Sequence, residues 1–144
     1  MTKTPSWVDA ILEWQWTGWL ARLGLASAYL LGGIVKFTHF SAAIAEQEHF
    51  GFHPGWAWAL AAISVELIGS LLVITGRLVW FGAGALGVLT AIATLAASPF
   101  WNMQGQERFM ATNTFFEHIG LIGGLALAAI LAEREKRPPY ESSH

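Results

Sequence analysis

Four long apolar stretches separated by short polar segments constrain this chain more than any other feature. They run over about 17–39, 56–76, 78–98 and 112–132. Each stretch is close to the ~20 residues that an α-helix needs to cross the hydrocarbon core of a bilayer. The backbone of a lone crossing segment can satisfy its hydrogen bonds there only as a helix. The sequence therefore predicts an all-α integral membrane four-helix bundle, with 1–144 forming a single membrane domain.

The segments outside the four stretches are short and carry helix-breaking or polar residues. Gly76-Arg77 is all that separates the second stretch from the third, which predicts a tight antiparallel hairpin. Near the N-terminus, Ser6 and Asp9 have the spacing of a helix start, and Trp7 and Ile11 share one face with Trp14. This pattern predicts a short helix lying in the membrane interface. The residues from about 134 to 144, which include two consecutive prolines, are predicted to form a flexible tail.

The distribution of positive charge predicts the orientation of the spans, because cytoplasmic loops and ends retain Lys and Arg. Six Lys and Arg residues lie at one set of span ends and two at the other: Lys3, Arg22, Arg77, Arg134, Lys136 and Arg137, against Lys36 and Arg108. Both termini are therefore predicted to be cytoplasmic. The segments around 40–55 and 99–111 are then predicted to face the opposite side.

Composition excludes several classes of function. Hydrophobic residues make up 54% of the chain and charged residues 12%, a balance unsuited to a water-soluble domain. The absence of cysteine excludes disulfides, thiol catalysis, cysteine-ligated iron–sulfur clusters and thioether-linked haem. The eight Lys and Arg residues are scattered, so no nucleic-acid partner is expected. No Glu-x-x-His or His-x-x-x-His pair lies in a predicted span, so neither an intrinsic metal nor an intrinsic cofactor is predicted.

Ionisable residues within the predicted spans are the main candidates for function, because each costs at least ~2.5 kcal/mol near the bilayer centre unless it is paired or solvated. Arg22 and Lys36 share one face of the first span with Tyr29 and Gly33. Glu66 lies near the middle of the second span. The structural alternatives are that Arg22 and Lys36 extend towards the headgroups, and that Glu66 belongs to an ion pair without a further role.

The fourth span contributes Glu117 and His118, which point about 100° apart on a helix. Small and polar residues recur on two spans with helix-packing spacing: Gly84, Gly87, Ala91, Thr94 and Ser98, and then Asn113, Glu117, Gly120, Gly124 and Ala128. Because Glu117 continues the second stripe, we predict that it faces the bundle and pairs with Lys36. Glu66 is then reached by Lys36 or Arg22. His118 is expected to be a hydrogen-bonded packing residue, with a ligand-binding role as the alternative.

Aromatic and histidine residues near the span ends are secondary candidates. Most tryptophans are expected to anchor the bundle at the headgroups. Trp101, in a predicted non-cytoplasmic loop, is the best candidate for stacking on a ligand ring. Three histidines are expected to be solvent-exposed, with a roof over the polar cluster as the alternative: His39, His49 and His53.

Several short motifs occur in a fixed order along the chain: Ala21-Arg22-Leu23, Gly33-x-x-Lys36, Glu66-Leu67-Ile68-Gly69, Gly76-Arg77, Phe100-Trp101-Asn102 and Leu121-Ile122-Gly123-Gly124-Leu125. In their order and spacing, from about Gly18 to Ala132, they resemble the DoxX family of small four-span bacterial membrane proteins. The resemblance implies a multi-pass protein of the bacterial cytoplasmic (inner) membrane. Family members often carry Lys and Asn where this chain has Glu117 and His118, so the polarity of the last span differs here.

The resemblance also implies a redox-associated membrane component, since the name-giving members are subunits of a thiosulfate:quinone oxidoreductase. The implied cofactor is a quinone. Candidate catalytic residues are Glu66, Glu117 and Lys36, and candidate ligand-binding residues are Arg22, Lys36, His118 and Trp101. The expected partners are the lipid bilayer and other membrane or redox proteins, with a homo-oligomer as a further expectation. Two other functions stay open: a non-enzymatic accessory or assembly subunit, and a small transporter.

Overall fold

Apolar sequence with few helix-breaking residues folds as long helices in this protein. The computed structural model describes residues 3–137, which contain no strand. The α-helices and one short 3-10 helix are, in chain order, α1 (Ser6–Glu13), α2 (Gln15–Thr38), α3 (Phe40–His49), α4 (Gly55–Thr75), α5 (Val79–Ala97), the 3-10 helix (Phe100–Asn102) and α6 (Gly105–Glu135).

Four of these helices are long and apolar enough to cross a membrane: α2, α4, α5 together with the turn that follows it, and α6. They overlap the four predicted spans, although α6 (Gly105–Glu135) extends beyond both ends of the predicted 112–132. The predicted all-α membrane fold is confirmed. Four crossings place the two ends of the bundle on the same side, and the cytoplasmic assignment of that side stays a prediction. The helix predicted near Ser6 is present as α1. The predicted tail from about 134 begins inside α6, and its part from 138 onward lies outside the described residues.

The helices pack in an order that makes the α4–α5 hairpin the centre of the bundle. Helix α2 lies along α4, and α6 lies along α5. Helices α2 and α6 meet more briefly, where Leu25 contacts Gly124. The buried apolar core runs along these contacts and includes Ala26, Val73, Val79, Leu86 and Leu125.

Two glycines allow α4 and α5 to cross closely. A Cβ added at Gly82 would lie 2.7 Å from the carbonyl oxygen of Gly69, closer than real Cβ atoms come. A Cβ added at Gly69 would lie 2.9 Å from the Leu86 side chain. Since hydrophobicity alone does not drive helices together in lipid, close backbone approach of this kind is what holds the hairpin.

The turn that ends α4 also fixes the position of Arg22. Gly76 ends α4 with a φ of 75°, a conformation that favours glycine, and Leu78 follows with a φ of 46°. The Arg22 guanidinium lies against this turn, with Nη2 3.5 Å from where a Gly76 Cβ would be. A cation at the C-terminal end of a helix is stabilised by the helix dipole. Arg22 therefore has a structural place at the end of the bundle that carries the termini.

Helix α3 is an element that the sequence analysis did not predict. It folds back over the opposite end of the bundle and packs on α4. The contact is close because Gly55 has no side chain: a Cβ there would lie 2.6 Å from Cγ of Glu48. The Glu48 carboxylate thereby lies near the N-terminal end of α4, where a negative charge is favourable. Helix α3 forms an outer wall over the upper halves of α4 and α5.

Candidate ligand-binding cavity beside a buried ion pair

A lysine and a glutamate from adjacent spans form an ion pair inside the bundle. Lys36 Nζ, on α2, donates a hydrogen bond to Glu66 Oε1, on α4, over 2.6 Å. Glu66 is 7% exposed, and its other carboxylate oxygen, Oε2, has no hydrogen-bond partner among the described residues. The pair needs Gly33, because a Cβ there would lie 2.8 Å from the Leu67 side chain. The close approach of α2 and α4 at Gly33 brings Lys36 and Glu66 within hydrogen-bonding distance.

A cavity of about 260 Å³ lies between α3, α4 and α5, with Lys36 and Glu66 in its wall. Its other polar lining residues are Glu46 and Gln47 of α3. Three aromatic side chains line it as well: Phe50, Phe52 and Trp58. Alanine, valine, leucine and isoleucine of α4 and α5 complete the wall. Small-molecule sites usually exceed ~300 Å³, so this cavity suits a single ring better than a large ligand.

The cavity opens to the surface that faces lipid. Three lining residues within the spans, Ala61, Val88 and Ile92, are exposed on the outside of the α4–α5 hairpin. On the side of α3, the lining residue Glu46 is also exposed. A lipophilic ring can therefore enter from the acyl chains, while Glu46 connects the cavity with the membrane surface.

A second set of buried polar contacts lies outside the cavity and joins α2, α5 and α6. The Thr90 hydroxyl donates to the Leu86 carbonyl, so the Tyr29 hydroxyl, 2.6 Å from Thr90 Oγ1, must be the donor of that hydrogen bond. Thr94 Oγ1 donates to the Thr90 carbonyl, so His118 Nδ1, 2.7 Å from it, carries a hydrogen and donates in turn. These hydrogen bonds hold the helices in register.

The prediction that Glu117 faces the bundle and pairs with Lys36 is wrong. Glu117 is exposed, and Lys36 pairs with Glu66 instead. The inward face of α6 follows a spacing of seven residues, through Ala111, His118, Leu125 and Ala132. Glu117 lies one residue, or about 100°, away from that line. The stripe of small residues indicated the wrong face of α6, because Asn113 and Gly120, which belong to the stripe, are exposed like Glu117.

The remaining predicted site residues lie away from the cavity. Arg22 is at the opposite end of the bundle, beside Gly76. The Trp101 ring packs edge-on against Phe100 and Phe115, with centroids 5.3 and 6.1 Å away. The solvent exposure expected of three histidines is confirmed, and none of them lines the cavity: His39, His49 and His53.

Four polar or aromatic lining residues in α3 or just after it were not predicted from the sequence, because this segment was treated as a loop: Glu46, Gln47, Phe50 and Phe52. The spacing of Phe40, Ala43 and Gln47 is that of one helix face and would have indicated the helix. Within residues 3–137, no group of three His, Asp or Glu side chains is arranged to hold a metal ion.

Comparison with known proteins supports the resemblance carried by the motifs. The DoxX family model matches residues 18–99, which include most of α2, all of α3 to α5 and every residue that lines the cavity. Helix α6, with Glu117 and His118, lies outside the matched range. Searches of the curated proteins and of the solved structures gave no match. The match covers more than half of the chain and the helices are those of a multi-pass membrane protein, so this chain belongs to the DoxX family.

Proposed function

We propose that this protein is a redox-associated component of the bacterial cytoplasmic membrane that binds a quinone ring in the cavity between α3, α4 and α5. The observation that carries the proposal is the Lys36–Glu66 ion pair in the wall of an otherwise apolar cavity that opens to lipid. An ionisable pair at this depth costs free energy, so its presence indicates a structural or functional use. Quinones are lipophilic, and their polar ring oxygens require hydrogen-bonding groups of this kind.

A bound quinone supplies two-electron, two-proton redox chemistry. The Lys36 ammonium has three hydrogens and gives one to Glu66, so it can donate another to a ring oxygen. The Glu66 carboxylate can hold a proton that moves to or from that ring. Phe52 and Trp58, whose ring centroids are 5.1 Å apart, offer aromatic faces and edges against the ring. Electrons pass to or from a redox group of a partner protein.

The test is native mass spectrometry, combined with quinone extraction, on protein isolated gently from its own membranes. Wild-type protein is expected to carry about one quinone per chain. Glu66→Gln removes the ion pair and is expected to weaken retention about tenfold, or ~1.4 kcal/mol, which is close to the lower end of the range for a hydrogen bond to a charged group. Glu117→Gln is the matched control, because that carboxylate is exposed on α6, and it should retain the quinone.

Two results would contradict the proposal. One is wild-type protein, folded and in its native complex, that carries no quinone and adds none when supplied with decylubiquinone. The other is equal retention by wild type and folded Glu66→Gln.

A second candidate, a non-enzymatic accessory subunit, is favoured by the hydrogen bonds that join α2, α5 and α6. In that function the Lys36–Glu66 pair serves only to hold the helices in register. Replacing both residues by methionine should then preserve the activity of the partner complex. Loss of activity in a folded double variant would favour the quinone site instead.

A further inference from the structure

Arg22 is a half-buried cation whose hydrogen-bonding capacity is not used within residues 3–137. Its guanidinium extends from α2 to the turn that ends α4, beside Gly76. Nε is buried and has no hydrogen-bond partner among the described residues. The terminal nitrogens, Nη1 and Nη2, also make no hydrogen bond or ion pair there, but they are not enclosed by protein. A ligand can therefore reach the end of the guanidinium, which has free N–H donors.

A second arginine lies at the same turn. Arg77 follows Gly76 directly and is exposed. Because consecutive Cα atoms lie about 3.8 Å apart, the Arg77 side chain starts close to the Arg22 guanidinium, and both can contact one group between them. No ion pair within residues 3–137 involves either arginine. Helix α5 begins soon after, at Val79, without a side-chain cap, so its first N–H groups add to the attraction for an anion.

The tryptophans beside this turn indicate its depth in the membrane. Trp19 lies about one turn of α2 before Arg22, and Trp80 is in the first turn of α5; both are exposed. Indole rings prefer the headgroup level of a bilayer. The two arginines therefore lie near the level of the lipid phosphates, and phosphate is the anion that a membrane supplies there.

We infer that Arg22 and Arg77 bind the phosphate of an anionic phospholipid at the end of the bundle that carries the termini. A guanidinium presents a planar fork of donors that matches two phosphate oxygens, and basic pockets between transmembrane helices bind anionic headgroups. Two arginines without a carboxylate partner favour phosphatidylglycerol over phosphatidylethanolamine, because the ammonium of the latter cancels its phosphate charge. The inference is independent of the quinone site, which lies at the other end of the bundle.

The test is native mass spectrometry of the full chain in detergent, titrated with phosphatidylglycerol or phosphatidylethanolamine that carry the same acyl chains. Wild type is expected to bind phosphatidylglycerol at least ~10-fold more tightly, since each arginine strengthens binding to an anionic lipid roughly fivefold. Arg22→Gln and Arg77→Gln should each lower this preference about fivefold. Arg77 is exposed in a turn, so its variant keeps the fold even if the Arg22 variant does not. Arg108→Gln, exposed at the opposite end of the bundle, is the matched control and should leave the preference unchanged.

Three results would overturn the inference. One is equal binding of the two lipids by folded wild type. Another is a preference that Arg108→Gln lowers as much as Arg77→Gln does, because the attraction would then come from overall charge and not from this turn. Inorganic phosphate offers the same oxygens without acyl chains, so an excess of it is expected to leave phosphatidylglycerol bound. Displacement of the lipid by inorganic phosphate would mean that the arginines bind soluble phosphate instead.

Discussion

Lys36 and Glu66 each lie among apolar neighbours that belong in hydrocarbon, and each depends on the other there. Their 2.6 Å contact offsets part of the desolvation cost of both charges. Removing one partner leaves the other charge buried and uncompensated, whereas removing both leaves an apolar contact. A single substitution should therefore destabilise the protein more than the double substitution does.

Lys36→Met is expected to lower the free energy of unfolding by about 3 kcal/mol, because it isolates the Glu66 charge. The double variant Lys36→Met with Glu66→Met should recover most of that loss. Reversible unfolding in mixed micelles measures both. The matched control is Lys136→Met, which removes the exposed 2.9 Å pair with Glu133 and should cost no more than about 0.5 kcal/mol. Equal effects of Lys36→Met and Lys136→Met would contradict a buried pair.

His118 and Glu117 are neighbours in sequence but differ in their surroundings. His118 donates to Thr94, whereas Glu117 is exposed. Thr94→Val and His118→Leu should show a coupling free energy of about 0.6 kcal/mol in a double-mutant cycle, the average for hydrogen bonds between membrane helices. The corresponding cycle of Thr94→Val with Glu117→Leu should show none. Coupling to Glu117 of the same size would place the other face of α6 inward.

The prediction that Glu66 pairs with a cation was correct, because the free-energy cost of an unpaired charge within a span decides that outcome. A glutamate near the middle of a span must find a partner, and Lys36 was one of the two cations predicted to reach Glu66. The choice of Glu117 failed because adjacent residues on a helix differ by about 100°, and the small-residue stripe did not reveal which face α6 turns inward. That orientation depends on packing against α5, which the local sequence does not specify.

At the scale of elements, α4 and α5 form a close helix crossing. The sequence predicted this hairpin, because Gly76-Arg77 leaves room for nothing longer than a turn. It did not indicate which glycines lie at the crossing. Gly69 and Gly82 lie at the crossing, whereas a Cβ added at Gly84 or Gly87 would have no neighbouring atom within 4 Å. Helix α3 was missed because it is short and less apolar than the spans.

Gly82→Ala is expected to destabilise the bundle by about 1–3 kcal/mol, because the added methyl would lie 2.7 Å from the Gly69 carbonyl oxygen and must push α4 and α5 apart. Gly84→Ala, on the same helix with open space around it, should be neutral or slightly stabilising, since alanine favours helix more than glycine. Thermal unfolding in one detergent compares the two. Similar melting temperatures would contradict the close crossing.

For the whole molecule, the number of spans followed from hydrophobicity and length, because lipid leaves a long apolar segment little choice but a helix. The boundaries were less well predicted, since α6 (Gly105–Glu135) extends beyond both ends of the predicted 112–132. The cavity could not be predicted in this way. It arises where α3 lies over α4 and α5, and its lining comes from residues separated by up to about sixty positions, from Lys36 to Ala97. Of the residues that line the cavity, only Lys36 and Glu66 were predicted as site residues from the sequence.

The orientation of the molecule is testable because the chain has no native cysteine. Thr4→Cys, before α1, should react with a membrane-impermeant maleimide only after the cells are permeabilised, because positive charge predicts cytoplasmic termini. Ser41→Cys, on α3, should react in intact cells once the outer surface of the membrane is accessible. Wild type provides the unlabelled control. The reverse labelling pattern would mean that the bundle is inserted the other way round, with α3 and its side of the cavity in the cytoplasm.

The most direct test of the quinone site is photolabelling of the protein in nanodiscs with an azido-substituted ubiquinone, followed by peptide mapping. Labelling is expected at residues that line the cavity, within 46–66 on α3 and α4 and within 88–97 on α5, with protection by excess decylubiquinone. Glu66→Gln should reduce this labelling and Glu117→Gln should not. Labelling spread over the lipid-facing surface, or confined to α6 and unaffected by competitor, would contradict a quinone site in this cavity.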